Sequence, residues 1–271
     1  MGNVAMFAKA TSAEFAFGEN WIRFLPFVDD RRIKLAEDSL TSYLGDLNGK
    51  TFIDVGCGSG LFSLAARRLG ARVLSFDLDP RSVACAQELK LRYRPGDSHW
   101  VIERGNVLDQ KYLITLGRFD VVYSWGVLHH TGKLWEAIEN TSRLVSPGGL
   151  FFVSIYNDQG GTSGRWKWIK RTYNSSGAVI RWLLLLGVAG YFEGKRSLAQ
   201  LRDRRNLFKR PEGDRGMLFK TDLVDWVGGW PFEVATPHAV FEFCKAHGFS
   251  LEKLKTSYGL GCNEFVFQLR S

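Results

Sequence analysis

Five short apolar runs alternate with helical stretches between residues 50 and 157 of this 271-residue chain. The runs are KTFIDVG, ARVLSFDLD, HWVIERGNV, RFDVVYSWGV and LFFVSIYN, the last preceded by SPGG, which reads as a turn. Between them, LFSLAARRLG, PRSVACAQELKLRY and LWEAIENTSRLV space their apolar residues at helical intervals, with Gly70 closing the first and Pro80 opening the second. Alternation of this kind predicts right-handed strand–helix–strand units and a parallel sheet covered on both faces. The chain ends differently. FSLEKLKTS and EFVFQLR are joined only by YGLGCN, too short for a crossover, so they pair antiparallel. The expectation is an α/β, Rossmann-like, doubly wound sheet of seven strands, mostly parallel with a reversed last strand, plus a helical insertion. Residues 1–50 form an N-terminal helical cap, 51–159 and 238–271 the core, and 160–237 a basic helical insertion or lid. Within the cap, DDRRIKLAEDSLTSYLGD has the spacing of an amphipathic helix.

The first strand runs into a glycine turn, FIDVGCGSG, residues 52–60. Strand–glycine turn–helix junctions bring backbone close to a nucleotide, and two ligands compete for this one. The dinucleotide fingerprint G-x-G-x-x-G wants a third glycine where Leu61 stands. Asp54 lies two residues before Gly56, poorly placed beside a pyrophosphate and well placed beside a cationic amino acid group. Asp77, at the end of the second strand, can accept hydrogen bonds from ribose hydroxyls. Asn106 follows the third strand, set to meet a base edge, with Val107 against its face. The bland alternatives are a tight turn at Gly56, Gly58 and Gly60 and a capping acid at Asp77.

FIDVGCGSG, SFDLDP, RGNVLD and FDVVYSWGVLHHTGKLWEAIENTSRLVSPGGLFFVSIYN together resemble the class I S-adenosylmethionine-dependent methyltransferases, most of all the small-molecule branch with the ubiquinone-biosynthesis O-methyltransferases. The resemblance covers about residues 30–157 and the final strand pair. It implies S-adenosylmethionine as cofactor, S-adenosylhomocysteine as product, and cofactor contacts at Asp54, Gly56, Cys57, Gly58, Gly60, Asp77, Leu78, Asn106, Val107 and Trp125. In the ubiquinone-type relatives the positions of Gly126 and His129 look acidic and suit a magnesium ion; neither is acidic here, and no metal is expected.

Methyl transfer is an in-line displacement, so an acceptor must be aligned and shielded from water. The fourth strand leads to His129-His130, and an imidazole of ordinary pKa near 6.5 can take a hydroxyl proton. His130 is the favoured base, with His129 in reserve; a histidine bonded to backbone without a chemical role is the competing reading. Tyr156, Trp226, Trp230 and Glu233 are candidate acceptor contacts, the tryptophans reading equally as anchors of the insertion. Asn20 and Trp21 precede the first long helix and can close over the cofactor. No N/D-P-P-Y/F tetrapeptide, paired glutamates or Pro-Cys pair follows the fourth strand, which argues against amino-group, guanidinium and pyrimidine-carbon acceptors. A hydroxyl on a small molecule, a sugar or a lipid-linked acceptor remains, with an RNA methyltransferase or a non-catalytic S-adenosylmethionine binder as alternatives.

The formal net charge of +8 is local: residues 165–210 hold twelve Lys/Arg against Glu193 and Asp203. The eleven uncharged residues from Trp182 to Phe192 are too few to span a bilayer, for which ~20 are needed. This stretch reads as a lid, as an interfacial helix on anionic membrane, or, less favoured, as a nucleic-acid contact. The four cysteines are dispersed with no C-x-x-C pair, which suggests reduced thiols. MGNVAMFAKA lacks a secretory-signal pattern and has Met6 where a myristoylation signal wants Ser or Thr. A cytoplasmic protein is the expected setting, with peripheral contact to the inner membrane face through 165–210 if that stretch is the interfacial helix and not the lid.

Overall fold

The computed structural model describes residues 15, 17–202, 219–257 and 259–270. The N-terminal decapeptide and residues 203–210 of the basic stretch lie outside the described residues.

Seven strands form one sheet in the order β3-β2-β1-β4-β5-β7-β6. They are β1 (Thr51–Val55), β2 (Arg72–Asp77), β3 (Trp100–Arg104), β4 (Phe119–Trp125), β5 (Val145–Tyr156), β6 (Phe249–Lys255) and β7 (Cys262–Leu269). β1 through β5 pair in parallel, and β7 runs antiparallel to both β5 and β6. The expected α/β sheet with a reversed last strand is therefore what forms.

Alternate residues of the central strands feed two cores, as a pleated strand requires. Phe52, Val121, Tyr123 and Phe152 pack with Ile33 and Leu40 of α2 (Asp30–Leu44), Leu64 of α3 (Leu61–Arg68) and Leu89 of α4 (Pro80–Tyr93). Ile53, Val122, Phe151 and Val153 pack with Leu113 of α5 (Gln110–Leu116), Ile138 of α6 (Leu134–Ser142) and Val240 of α10 (Pro237–Ala246). Burial on both faces is why β1, β4 and β5 read as continuous apolar runs.

Two local readings need correction. Helix α5 was not anticipated; Asp109 caps it by accepting hydrogen bonds from the Lys111 and Tyr112 amides. SPGG is not a turn before β5 but lies inside it. Phe119 pairs with Val145, and the next β4 partner, Val121, pairs with Leu150, so Ser146–Gly149 bulge out of register. Gly148 supplies the positive φ that the bulge needs.

Between β5 and α10 lie α7 (Gly161–Ser175), α8 (Ala178–Arg202) and α9 (Phe219–Gly228). They share a third core around Trp166, Tyr173, Val188, Val227 and Phe232. No helix among the described residues is long and apolar enough to cross a membrane. At the other end of the chain, α1 (Phe17–Phe24) lies across α4. The Gly18 amide donates to Asp79 Oδ2 at 2.9 Å, and Arg81 pairs with Glu19 at 2.9 Å.

Candidate functional site

A cavity of about 1140 Å³ opens at the carboxyl ends of the parallel strands, where βα loops of open sheets place ligands. Asp54, Gly56, Cys57, Gly58, Asp77, Leu78, Asn106, Val107 and Trp125 all line it. So do His130, Tyr156, Trp226 and Trp230. Gly60, His129 and Glu233 do not stand among its lining residues.

The geometry of the turn explains its three glycines. Gly56 and Gly58 have φ of 77° and 54°, in the left-handed region open to glycine. A Cβ on Gly56 would meet Val127 at 2.4 Å, and one on Gly58 would meet the Trp21 ring at 2.7 Å. Gly60, at φ 79°, also serves packing: it precedes α3, and a Cβ there would press on Ala86 of α4 at 2.8 Å. Thus α1 brings Trp21 directly over the turn.

Two acids face this end of the cavity, Asp54 buried and Asp77 half-buried. Asp54 accepts from the Ser63 hydroxyl, and burial pushes its carboxyl up to about 7. Asp77 accepts from the Gly58 amide at 3.0 Å and the Asp79 amide at 2.9 Å. Burial, opposed by those amides, raises it to about 6. Both therefore sit where a cationic or hydrogen-bond-donating ligand gains most. Burial drives the Cys57 thiol far upward, which leaves it an inert wall.

The other half of the cavity is aromatic. His130 Nδ1 lies 2.6 Å from the Pro231 carbonyl oxygen, and since a carbonyl only accepts, Nδ1 carries the proton. Nε2 is then the acceptor. Burial, followed by the charge of Lys170, holds His130 down at about 3 rather than near the ordinary 6.5 of the sequence reading. His129 is wholly buried behind it, its Nδ1 accepting from the Tyr156 amide at 3.4 Å. Burial above all, with the charge of Lys170 adding to it, pushes His129 well below its ordinary range too. Glu233 is tied to the same region by backbone, its amide donating to the His129 carbonyl and its Oε1 accepting from the Leu134 amide.

Around His130 stand Phe17, 4.9 Å away between ring centres, and Tyr156 at 5.4 Å. Trp226 meets Tyr156 edge-on at 5.1 Å. Beneath them Lys170 of α7 is fully buried, 5.4 Å from the Tyr156 ring and 5.0 Å from Trp226, and donates to the Trp226 carbonyl. Sequence reasoning passed over Lys170, Phe15, Phe17 and Glu264. Glu264 lines the cavity from β7, accepting from Trp125 Nε1 at 2.9 Å and from the Tyr43 hydroxyl. An acid within the apolar run CNEFVFQL was the available signal. Among the described residues no three His, Cys, Asp or Glu gather as a metal site.

A nucleotide-sized cleft over strand ends, with a glycine turn under it and acids at the ends of β1 and β2, is the arrangement of the class I methyltransferase fold. The family described as "Methyltransferase domain" matches residues 53–151. Magnesium protoporphyrin IX methyltransferase from Synechocystis PCC 6803, solved with bound S-adenosylhomocysteine, superposes with a TM-score of 0.55 at 16% identity, covering 93% of this chain and 94% of that one. An O-methyltransferase family protein from Burkholderia thailandensis gives 0.54 at 16% identity, over 89% of this chain and 58% of that one. In sequence, the chain is similar to the ubiquinone biosynthesis O-methyltransferases. That of Caulobacter sp. (strain K31) is 30% identical over 45% of this chain and 50% of its own length. That of Rhodopseudomonas palustris (strain TIE-1) is 27% identical over 59% and 58%. The chain thus spans about half the length of the curated relatives it matches.

Proposed function

We propose that this protein is an S-adenosylmethionine-dependent methyltransferase that methylates a hydroxyl on a flat, largely apolar acceptor. The observation that carries the reading is one cavity with two chemically distinct halves: the acids Asp54 and Asp77 with open backbone around the glycine turn, and an aromatic chamber around one neutral imidazole.

The residues fit the cofactor. Asp54 and Asp77 suit its ammonium and ribose, and Leu78 and Val107 suit its adenine faces. When bound, S-adenosylmethionine supplies an electrophilic methyl on sulfur. The chain's own residues do the rest. Trp21 and Phe17 cover the cleft and exclude water. Tyr156, Trp226 and Trp230 hold a ring by its faces and edges. His130, its tautomer fixed by Pro231, accepts the acceptor's hydroxyl proton at Nε2. An aromatic wall of Tyr156, Trp226 and Trp230 suits a phenolic or quinone-like ring, free or lipid-linked, better than a sugar. His129, closed off behind His130, serves as support and not as base.

The test is methyl transfer from labelled S-adenosylmethionine to panels of phenolic and sugar acceptors. Phenolic products that need His130 support the reading. His130→Ala should lower kcat/KM by about 10²-fold, the low end for a general base, because a base held near 3 is weak. Cofactor affinity should stay within about twofold. Because the imidazole is already neutral above pH 5, its titration should give no acid limb between pH 5 and 8. Turnover on sugars alone, or an unchanged His130→Ala, would replace this assignment.

A further inference from the structure

Helix α8 is apolar on two sides. Leu184, Leu185, Val188 and Phe192 turn inward onto the core of Trp166, Tyr173 and Trp226. On the other side Val179, Trp182, Leu183 and Leu186 are exposed, Val179 by 72% and Trp182 by 60%. Their spacing of three and four residues puts them on one helix face. Single exposed apolar residues need no explanation, but a whole face does. A surface helix ordinarily turns such a face inward and shows charge outward.

What surrounds the face is cationic. Apart from the buried Lys170, residues 161–202 hold seven Lys/Arg and one acid, Glu193. Arg165, Lys167, Arg171, Arg181 and Lys195 are all exposed. Trp168 of α7 adds a second exposed indole, at 66%. A second copy of this chain, docking patch to patch as two-fold symmetry demands, would oppose cation to cation. A nucleic acid would match the charge but leave the Val, Ile and Leu side chains with no ring to cover them. An anionic bilayer surface matches both, with aliphatics in the acyl boundary, indoles at headgroup level and cations on lipid phosphate.

We propose that the outer face of α7 and α8 is a docking surface for anionic phospholipid, with α8 lying in the interface and not crossing it. Phe192 on the inner side of α8 meets Trp226, 6.4 Å between ring centres, so the docked helix is the one that backs the cavity wall.

Flotation of the full chain with vesicles, in the absence of cofactor and acceptor, tests docking independently of methyl transfer. Vesicles of phosphatidylcholine mixed with phosphatidylglycerol should carry the protein at least about tenfold better than phosphatidylcholine alone, with binding falling as salt rises. Trp182→Ser with Leu186→Ser should weaken binding at least about tenfold without moving the melting temperature, both side chains being exposed. Arg165→Glu with Lys167→Glu is the second variant, expected to weaken binding to the anionic vesicles alone. Equal flotation with both vesicles, no flotation, or wild-type binding by both double variants overturns the proposal. So does a dimer in size-exclusion chromatography, without vesicle binding, that Trp182→Ser with Leu186→Ser dissolves, or RNA binding that survives where vesicle binding is missing.

Discussion

Asp54 is where folding and binding pull in opposite directions. Its carboxyl is at about 7 in the folded protein against 3.8 unfolded, so between those values the fold holds a proton that the unfolded chain has released. Stability is therefore lost as pH rises through that window and stays lost above it. Asp54→Asn should raise the melting temperature of the free protein at pH 8 by at least about 2 °C. The same change should weaken S-adenosylmethionine at least about tenfold, about 1.4 kcal/mol, in calorimetric titration. Wild-type affinity should fall as pH falls below 7, with a proton released on binding, because the ligand's cation needs the ionised acid. At this scale the sequence was uneven. Asp54 and Asp77 were legible because strand ends and glycine spacing fix them. His129 and His130 were not separable: adjacent residues point differently, and only packing shows that one is sealed off while the other faces the cavity.

Strands were easier to read than short helices. β1, β4 and β5 announce themselves because burial on both faces demands apolar runs. Helix α5 has seven residues and one buried side chain, Leu113, too short for periodicity to show. Helix α1 is likewise short, yet it positions half of the cover over the site. Asp79 joins it to the core, capping α4 through Oδ1 while Oδ2 accepts from Gly18. Asp79→Ala therefore removes a cap and an anchor together. It should cost about 1–2 kcal/mol in denaturant unfolding and weaken S-adenosylmethionine several-fold, since Trp21 loses its tether. A stability loss with unchanged cofactor affinity would detach α1 from the cofactor's cover.

At the scale of the molecule, the chain combines a sheet with two cores and a helical addition with its own. That division decides what a core substitution should affect. Trp166, 94% shielded from solvent, belongs to the insertion's core and makes an edge contact with Trp226 at 5.5 Å between ring centres. Trp166→Ala should raise acceptor KM several-fold while cofactor affinity stays within about twofold, read by steady-state kinetics beside calorimetry. Equal losses in both would mean that the insertion and the sheet respond as one body. The core was legible because its periodicities are strict. The insertion was not, because α8 is apolar on both sides and no period distinguishes its packed face from its exposed one.

Phe15 and α1 touch both halves of the site at once. The Phe15 amide reaches the Trp230 carbonyl, Phe17 lies against His130, and Trp21 lies on Gly58. One short segment thus closes the doors of two rooms. In the proposed reaction the two products would then depart on a shared clock, set by how fast this segment lifts away.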